Sequence, residues 1–242
     1  MLRVELEPAY ILHHRPFRDT SVLLEIFSRD QGRVGLVARG ARGPRSRLKG
    51  ILQPFRPLLL SWQLRGELGT LTGAEAYGVP AVLPTGGDAL LALYYLNELL
   101  LRLTARLDPH AALYGVYDAA VVQLTAGGAV APVLRRFEKR LLDELGYGPD
   151  LALDATGQRI AAGSSYRYDP ALGLAVCRPE TAGALLGASL LALAADELAD
   201  ARALADARRL LRAALDVHLD GRPLKTRALM SRLRDARASG TM

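Results

Sequence analysis

Cysteine is almost missing from this 242-residue chain, where Cys177 stands alone. An intramolecular disulfide and a Cys-rich metal site are therefore excluded. Histidine is scarce too: His13, His14, His110 and His218 sit in unrelated places, with no His-Glu-x-x-His pair, and read as ordinary histidines rather than ligands. The longest uncharged apolar run, residues 181–195, falls short of the about 20 residues that a bilayer-spanning helix needs. Glu5, Glu7 and Pro8 stand where a signal peptide needs an apolar core, so the expectation is a cytoplasmic protein with no membrane partner. The glycines at 32, 35, 40 and 43 miss the dinucleotide-binding spacing, and there is no G-x-x-x-x-G-K-[ST]. Acids are scattered, without the paired carboxylates of a metal-dependent nuclease. No active site and no cofactor are read, and the chain is expected not to be an enzyme.

What is present is a hydrophobic half and a polarised charge. With 50% hydrophobic residues, 242 residues can fill one large or two small cores. Residues 1–56 hold 11 Lys/Arg against 5 acids, and residues 221–242 hold 6 against 1, while the middle is mildly acidic. Basic ends around such a centre suit a polyanionic partner. The sharpest feature is the stretch 39–49, where Arg39, Arg42, Arg45, Arg47 and Lys49 occur with no acid. Gly40, Gly43 and Pro44 forbid a regular helix or central strand there, so it reads as an exposed loop between two strands.

Strand-like runs at residues 4–12, 20–27, 33–38, 55–63 and 70–77 surround that loop. In the second, Val22, Leu24 and Ile26 alternate with Ser21, Leu23 and Glu25, the period of a half-buried strand. Residues 13–19 read as a polar connection, and Asp30-Gln31-Gly32 as a hairpin turn. Five short strands in about 80 residues suggest a small closed barrel such as the OB-fold, closed off by Pro80 and Pro84. From Asp88 the period becomes helical. Helices are expected to about 103, over 111–124, and from after Pro132 to a C-cap at Gly146. Residues 147–180 are turn-rich with fragments of strand at 165–168 and 174–178. The chain is then helical from Thr181, including 201–219, and ends in a basic helix over 224–233, after which the last residues fray. The fold class is α+β: an OB-fold DNA-binding domain over 1–80, then a helical domain over 81–242 with a small insertion near 148–180.

An OB barrel holds single strands with a basic groove and aromatics on which bases stack. Phe17, Phe27, Phe55 and Trp62 are the candidates. Phe27 and Phe55, at strand positions, are expected in the core, whereas Phe17 beside Arg15 and Arg18 is the better stacking residue. The residues alone leave two rivals open: a nucleic-acid-processing enzyme with an OB anchor, and a protein-only scaffold whose basic loop meets an acidic partner.

Tyr10-Ile11-Leu12-His13-His14-Arg15-Pro16-Phe17-Arg18-Asp19-Thr20-Ser21, followed by Gly32-Arg33-Val34, resembles the opening of the RecO family of bacterial recombination mediators. So do Ala38 to Arg42 and Gly50 to Phe55. Tyr94 to Leu100, Leu134-Arg135-Arg136-Phe137-Glu138 with Leu145 to Gly148, and Pro223-Leu224-Lys225-Thr226-Arg227 resemble the later blocks. The resemblance implies binding to single- and double-stranded DNA, annealing of complementary strands and a complex with RecR. It also implies recognition of the acidic, hydrophobic C-terminal tail of single-stranded DNA-binding protein, which helps load RecA. DNA contacts are then expected at Arg15, Phe17, Arg18, Arg33, Arg39, Arg42, Arg45, Arg47, Lys49, Arg222, Lys225 and Arg227. The tail is expected at Arg135 and Arg136 beside Leu134 and Phe137. Some relatives hold zinc on four cysteines in the insertion. Here Asp154 occupies a cysteine position and Tyr166-Arg167-Tyr168 matches the zinc-free branch, associated with gammaproteobacteria, so no metal is expected.

Overall fold

The computed structural model describes residues 2–78, 83–84 and 87–238, the side chains of residues 234 and 236–238 excepted. The closing residue Pro80, the expected boundary after residue 80 and the last residues, expected to fray, lie outside the described residues.

Five strands form the expected barrel: β1 (Leu2–Phe17), β2 (Ser21–Ser28), β3 (Gly32–Ala38), β4 (Leu58–Arg65) and β5 (Leu68–Ala76). They close in the order β1-β2-β3-β5-β4, with β3 and β5 parallel and the other pairs antiparallel, which is the OB topology. Alternation sends Leu24, Ile26, Val34, Leu36, Leu58, Leu60 and Trp62 into the interior. Trp62 is thus core and no stacking platform. Phe55 is buried as expected, but in a turn rather than a strand, with φ 61 and its ring edge-on to Tyr94 at 5.0 Å. Pro54 and Pro57 flank that turn and delay β4 to Leu58, because proline cannot donate to a ladder.

The largest difference from the expectation is in β1. Residues 13–17, read as a polar connection, are strand, paired with β2 out to Phe17 opposite Ser21. A bulge between Ile11 and His13 re-aims this end of β1. Beyond Ala9 the strand has no β4 partner, so Pro16 sits on an open edge where its missing N–H costs nothing.

Helices α1 (Gly87–Leu103) and α2 (Ala111–Thr125) belong to the same compact unit as the barrel, which comprises residues 1–127 with the segment from Leu229 on. Tyr10 and Phe27 point out of the barrel and still are buried, because Tyr114 and Tyr117 of α2 cover them with ring centroids 5.1–6.1 Å apart. The Tyr10 hydroxyl donates to Asp118 at 2.6 Å. Asn97 of α1, buried, donates to the Leu12 carbonyl at 2.8 Å and accepts from the Tyr117 hydroxyl at 2.6 Å. Leu12 is the residue the bulge pushes out of register, so Asn97 takes the place of its lost ladder partner.

The second unit is residues 128–228. Its first helix, α3 (Val130–Glu144), opens two residues before Pro132 rather than after it; proline is tolerated in a first turn, whose N–H groups have no intrahelical acceptor. Gly146 ends it as expected: at φ 75 its N–H reaches Asp143 and the next N–H, of Tyr147, reaches Leu142, a Schellman closure. Strands β6 (Ser165–Asp169) and β7 (Gly173–Cys177) follow. The stretch from Thr181 is not helical at once: a two-residue strand, β8 (Leu185–Leu186), adds to β6 first. Then come α4 (Gly187–Ala194), α5 (Ala201–Val217) and α6 (Lys225–Ala238), which begins in this unit. Lys139 is buried and caps α4 from α3, donating to the Leu193 and Ala194 carbonyls at 2.9 and 3.1 Å and pairing with Asp196 at 2.5 Å.

Candidate nucleic-acid interface

The stretch 39–49 does not wave free. Ala41, near its start, is buried in the barrel core, and Leu48, Ile51 and Leu52 pack against that core from the end of the stretch and just beyond it. A 3-10 turn, Arg47–Gly50, is capped by Ser46, whose hydroxyl accepts from the Leu48 N–H. Between these anchors the backbone N–H of Arg42 donates to the Thr20 carbonyl at 2.7 Å, and the Arg42 guanidinium reaches the Arg18 carbonyl at 3.5 Å. One loop is thereby stitched to the tip of the β1–β2 hairpin.

That stitch gathers Arg15 and Arg18 from the hairpin with Arg39, Arg42, Arg45, Arg47 and Lys49 from the loop, all exposed. Among the described residues no carboxylate pairs with any of these seven cations. Phe17 lies in the same rim, half-buried, with the Arg18 guanidinium 5.2 Å from its ring centroid. Such a rim offers phosphates several unneutralised cations and bases one aromatic edge.

The other expected contacts come from other elements. Arg33 is the second residue of β3, about 16 Å of strand away from its end at Ala38. It is half-buried and donates to the Leu101 carbonyl at 2.9 Å, and burial holds its guanidinium below the usual arginine range. Arg222, Lys225 and Arg227 belong to the second unit. Arg222 and Lys225 are exposed, whereas Arg227 is largely covered and paired with Asp216.

On α3 the expected apolar wall is core. Leu134 and Phe137 are buried, on a helix that packs against α5, and Arg135 is buried too, its Nη2 2.5 Å from Glu138. Its helical period places Arg135 next to the core stripe, and Glu138 one turn on neutralises it there. Of these four residues only Arg136 keeps a partly exposed side chain.

In the turn-rich region Asp154 holds a turn through one carboxylate oxygen, Oδ1. Its carboxylate accepts from the Thr156 hydroxyl at 2.7 Å, the Thr156 N–H at 2.9 Å and the Gln158 N–H at 3.0 Å. The Thr156 hydroxyl and the Gln158 N–H hold its pKa below the usual carboxylate range. Hydrogen bonds close this turn, next to the bridge between Leu153 and Arg159. Among the described residues no three His, Cys, Asp or Glu side chains gather as a metal site, and no helix is long and apolar enough to cross a membrane.

Sequence reasoning missed the ion pair of Arg106 with Glu25 on the outer face of β2, the Asn97 bridge and the stacked rings of Tyr147 and His218, 3.8 Å apart. These partners stand between 20 and 85 residues apart in sequence, beyond any local signal.

Residues 1–79 match the family model described as Recombination protein O N terminal, and residues 85–228 match Recombination protein O C terminal. The chain is 47% identical over 236 residues to a protein named DNA repair protein RecO from Nitrosococcus oceani, covering 96% of this chain and 95% of that one. Proteins of the same name from Alkalilimnicola ehrlichii and Chromobacterium violaceum are 47% and 46% identical, covering 96% and 94% of this chain and 92% and 95% of theirs.

Proposed function

This chain belongs to the RecO family of DNA repair proteins, and from that premise we propose that it is a recombination mediator and not an enzyme. In this reading it binds single- and double-stranded DNA, anneals complementary strands and, with RecR, helps load RecA onto strands coated with single-stranded DNA-binding protein. Its place is the cytoplasm, on the nucleoid. The observation that supports this most is the bond from the Arg42 N–H to the Thr20 carbonyl, which unites two basic segments in one rim.

Cations on that rim neutralise phosphates and release their condensed counterions, which yields affinity with little sequence preference. The same cations lower the repulsion between two complementary strands brought side by side, a sufficient electrostatic reason for annealing. Phe17 adds a stacking edge to a groove otherwise built of charge. For the acidic tail of single-stranded DNA-binding protein, the reading narrows on α3 to Arg136, over the core laid by Leu134 and Phe137, with Arg135 positioned by Glu138.

Salt titration of single-strand binding tests the rim. If all seven cations meet phosphates, log K falls against log salt with a slope of about −5, and changing Arg39, Arg42 and Arg45 together to Ala flattens it by about 2. The loss is the same for every DNA sequence. A folded triple variant with unchanged affinity and slope refutes the rim as the DNA site.

A further inference from the structure

Arg106, in the segment that follows α1, reaches across the outer face of β2 and β3 and ion-pairs with Glu25. It passes over Gly35, where a Cβ would stand 3.4 Å from Arg106 Nη2 and 3.5 Å from Cζ, at ordinary contact distance. The backbone fixes its base, since Arg106 bridges Arg33 and the Leu107 N–H donates to the Arg33 carbonyl at 2.9 Å. Burial lowers the Arg33 pKa most, while Glu25 raises it and Arg106 lowers it. The Glu25 carboxylate is only half used. Oε1 meets Arg106, while Oε2 is buried with no hydrogen-bond partner. A carboxylate that serves only to lock a fold normally has both oxygens satisfied.

Position gives this cluster its meaning. The β2–β3 face is where five-stranded OB barrels lay oligonucleotides. Glu25 stands three residues along β2 from Val22, whose partner Ala38 leads into the basic loop, about 10 Å away. A strand leaving the rim along β2 therefore runs onto Arg106. Glu25 presents to it the charge and the oxygens that a phosphate would present.

We propose that Glu25 is a built-in phosphate surrogate, which keeps Arg106 over the β2–β3 face until a backbone phosphate of a bound single strand displaces it. The inference rests on the DNA-binding reading of the rim and extends it by one subsite. Exchange of one anion for another is nearly balanced, so the subsite guides the strand while keeping it easy to release. Glu25, left beside the incoming phosphate, lowers the affinity.

Fluorescence anisotropy with a labelled oligo-dT tests this at low salt. Glu25→Gln is expected to tighten binding about two- to fivefold, the size of effect that one partly exposed charge pair supports. Glu25→Asp keeps the charge and is expected to stay near the wild type. Arg106→Gln alone is expected to weaken binding, and in the Glu25→Gln background to abolish the gain. Unchanged or weaker binding by folded Glu25→Gln overturns the proposal. So does a gain that survives Arg106→Gln, which would make Glu25 a source of general repulsion. If Glu25→Gln does not fold, Arg106→Gln decides: wild-type binding overturns the subsite. The Arg39, Arg42 and Arg45 triple variant separates the two levels. If it too leaves binding unchanged, the rim reading has failed; if it weakens binding while the Glu25 and Arg106 variants change nothing, only the subsite has failed.

Discussion

Replacing Asn97 with Ala removes a side chain that serves both the bulged strand and the helix above it. Its amide donates to the Leu12 carbonyl at 2.8 Å and its oxygen accepts from the Tyr117 hydroxyl at 2.6 Å. Both partners are buried, so neither finds water when the amide is gone. Leaving a buried polar group unsatisfied costs about 1–3 kcal/mol, and two such groups give an expected loss of about 2–6 kcal/mol. With a urea dependence of about 1–3 kcal/mol per molar, the midpoint should fall by about 1 M or more. Tyr117→Phe removes one of the two bonds and should cost less. The double variant should lose less than the sum of the singles, by about 1 kcal/mol, because both act on the same bond. Urea titrations of the four proteins complete the cycle. Hydrogen exchange should also show residues 13–17 losing protection first, since their strand begins at the bulge that Asn97 holds. A loss under about 1 kcal/mol with strict additivity would refute this account of how α1 fixes the hairpin.

Lys139→Ala should destabilise the second unit by about 1–3 kcal/mol, as it leaves two α4 carbonyls without their donor and Asp196 with Arg140 alone; a calorimetric scan with little change would count against the buried cap. Burial pushes the Asp196 carboxyl up, but Lys139 and Arg140 outweigh it and hold the group low, as the Thr156 hydroxyl and the Gln158 N–H hold Asp154 low. Their stability contribution is therefore present above the ordinary value of about 3.9 and is lost as pH falls through the lower folded values, and Asp154→Ala should shrink the acid-sensitive part measured by circular dichroism. Arg136→Ala should weaken binding of a tail peptide from single-stranded DNA-binding protein in fluorescence polarisation without lowering stability or bare-strand annealing; wild-type peptide affinity would move the tail away from α3.

The barrel was readable because its strands bury one face, and Leu24 and Ile26 keep a strict period of two. The helices were readable by their apolar stripes, and Gly146 by its place after one. Residues 13–17 were not, since both faces of that hairpin arm meet solvent and its strand character comes from pairing with β2. Pro16 even argued against it locally. The charge of residues 39–49 was plain in the sequence, but its attachment was not, because a backbone bond to Thr20 leaves no mark on either side chain. Arg33 and Arg135 look in sequence like Arg39 and Arg136. What separates them is burial and a distant acceptor, Leu101 in one case, or a neighbour one turn on, Glu138, in the other. Side-chain type records charge; only packing decides whether that charge is already in use.

Pinning the basic loop at Ala41 has a kinetic consequence. A free basic arm must lose conformational freedom when it closes on a strand, and that ordering slows productive encounters and opposes affinity. Here the loop is held by the core at Ala41 and Leu48 and by Thr20 at Arg42 before any partner arrives. If the rim is the DNA site, as proposed, encounter is then governed by its attraction for the phosphates, a long-range force that salt screens over about 10 Å at 0.1 M. Rising ionic strength should accordingly act strongly on the association rate, as it does for rigid, steered binding surfaces. A strand that arrives quickly and meets no folding step on the way in also meets none on the way out.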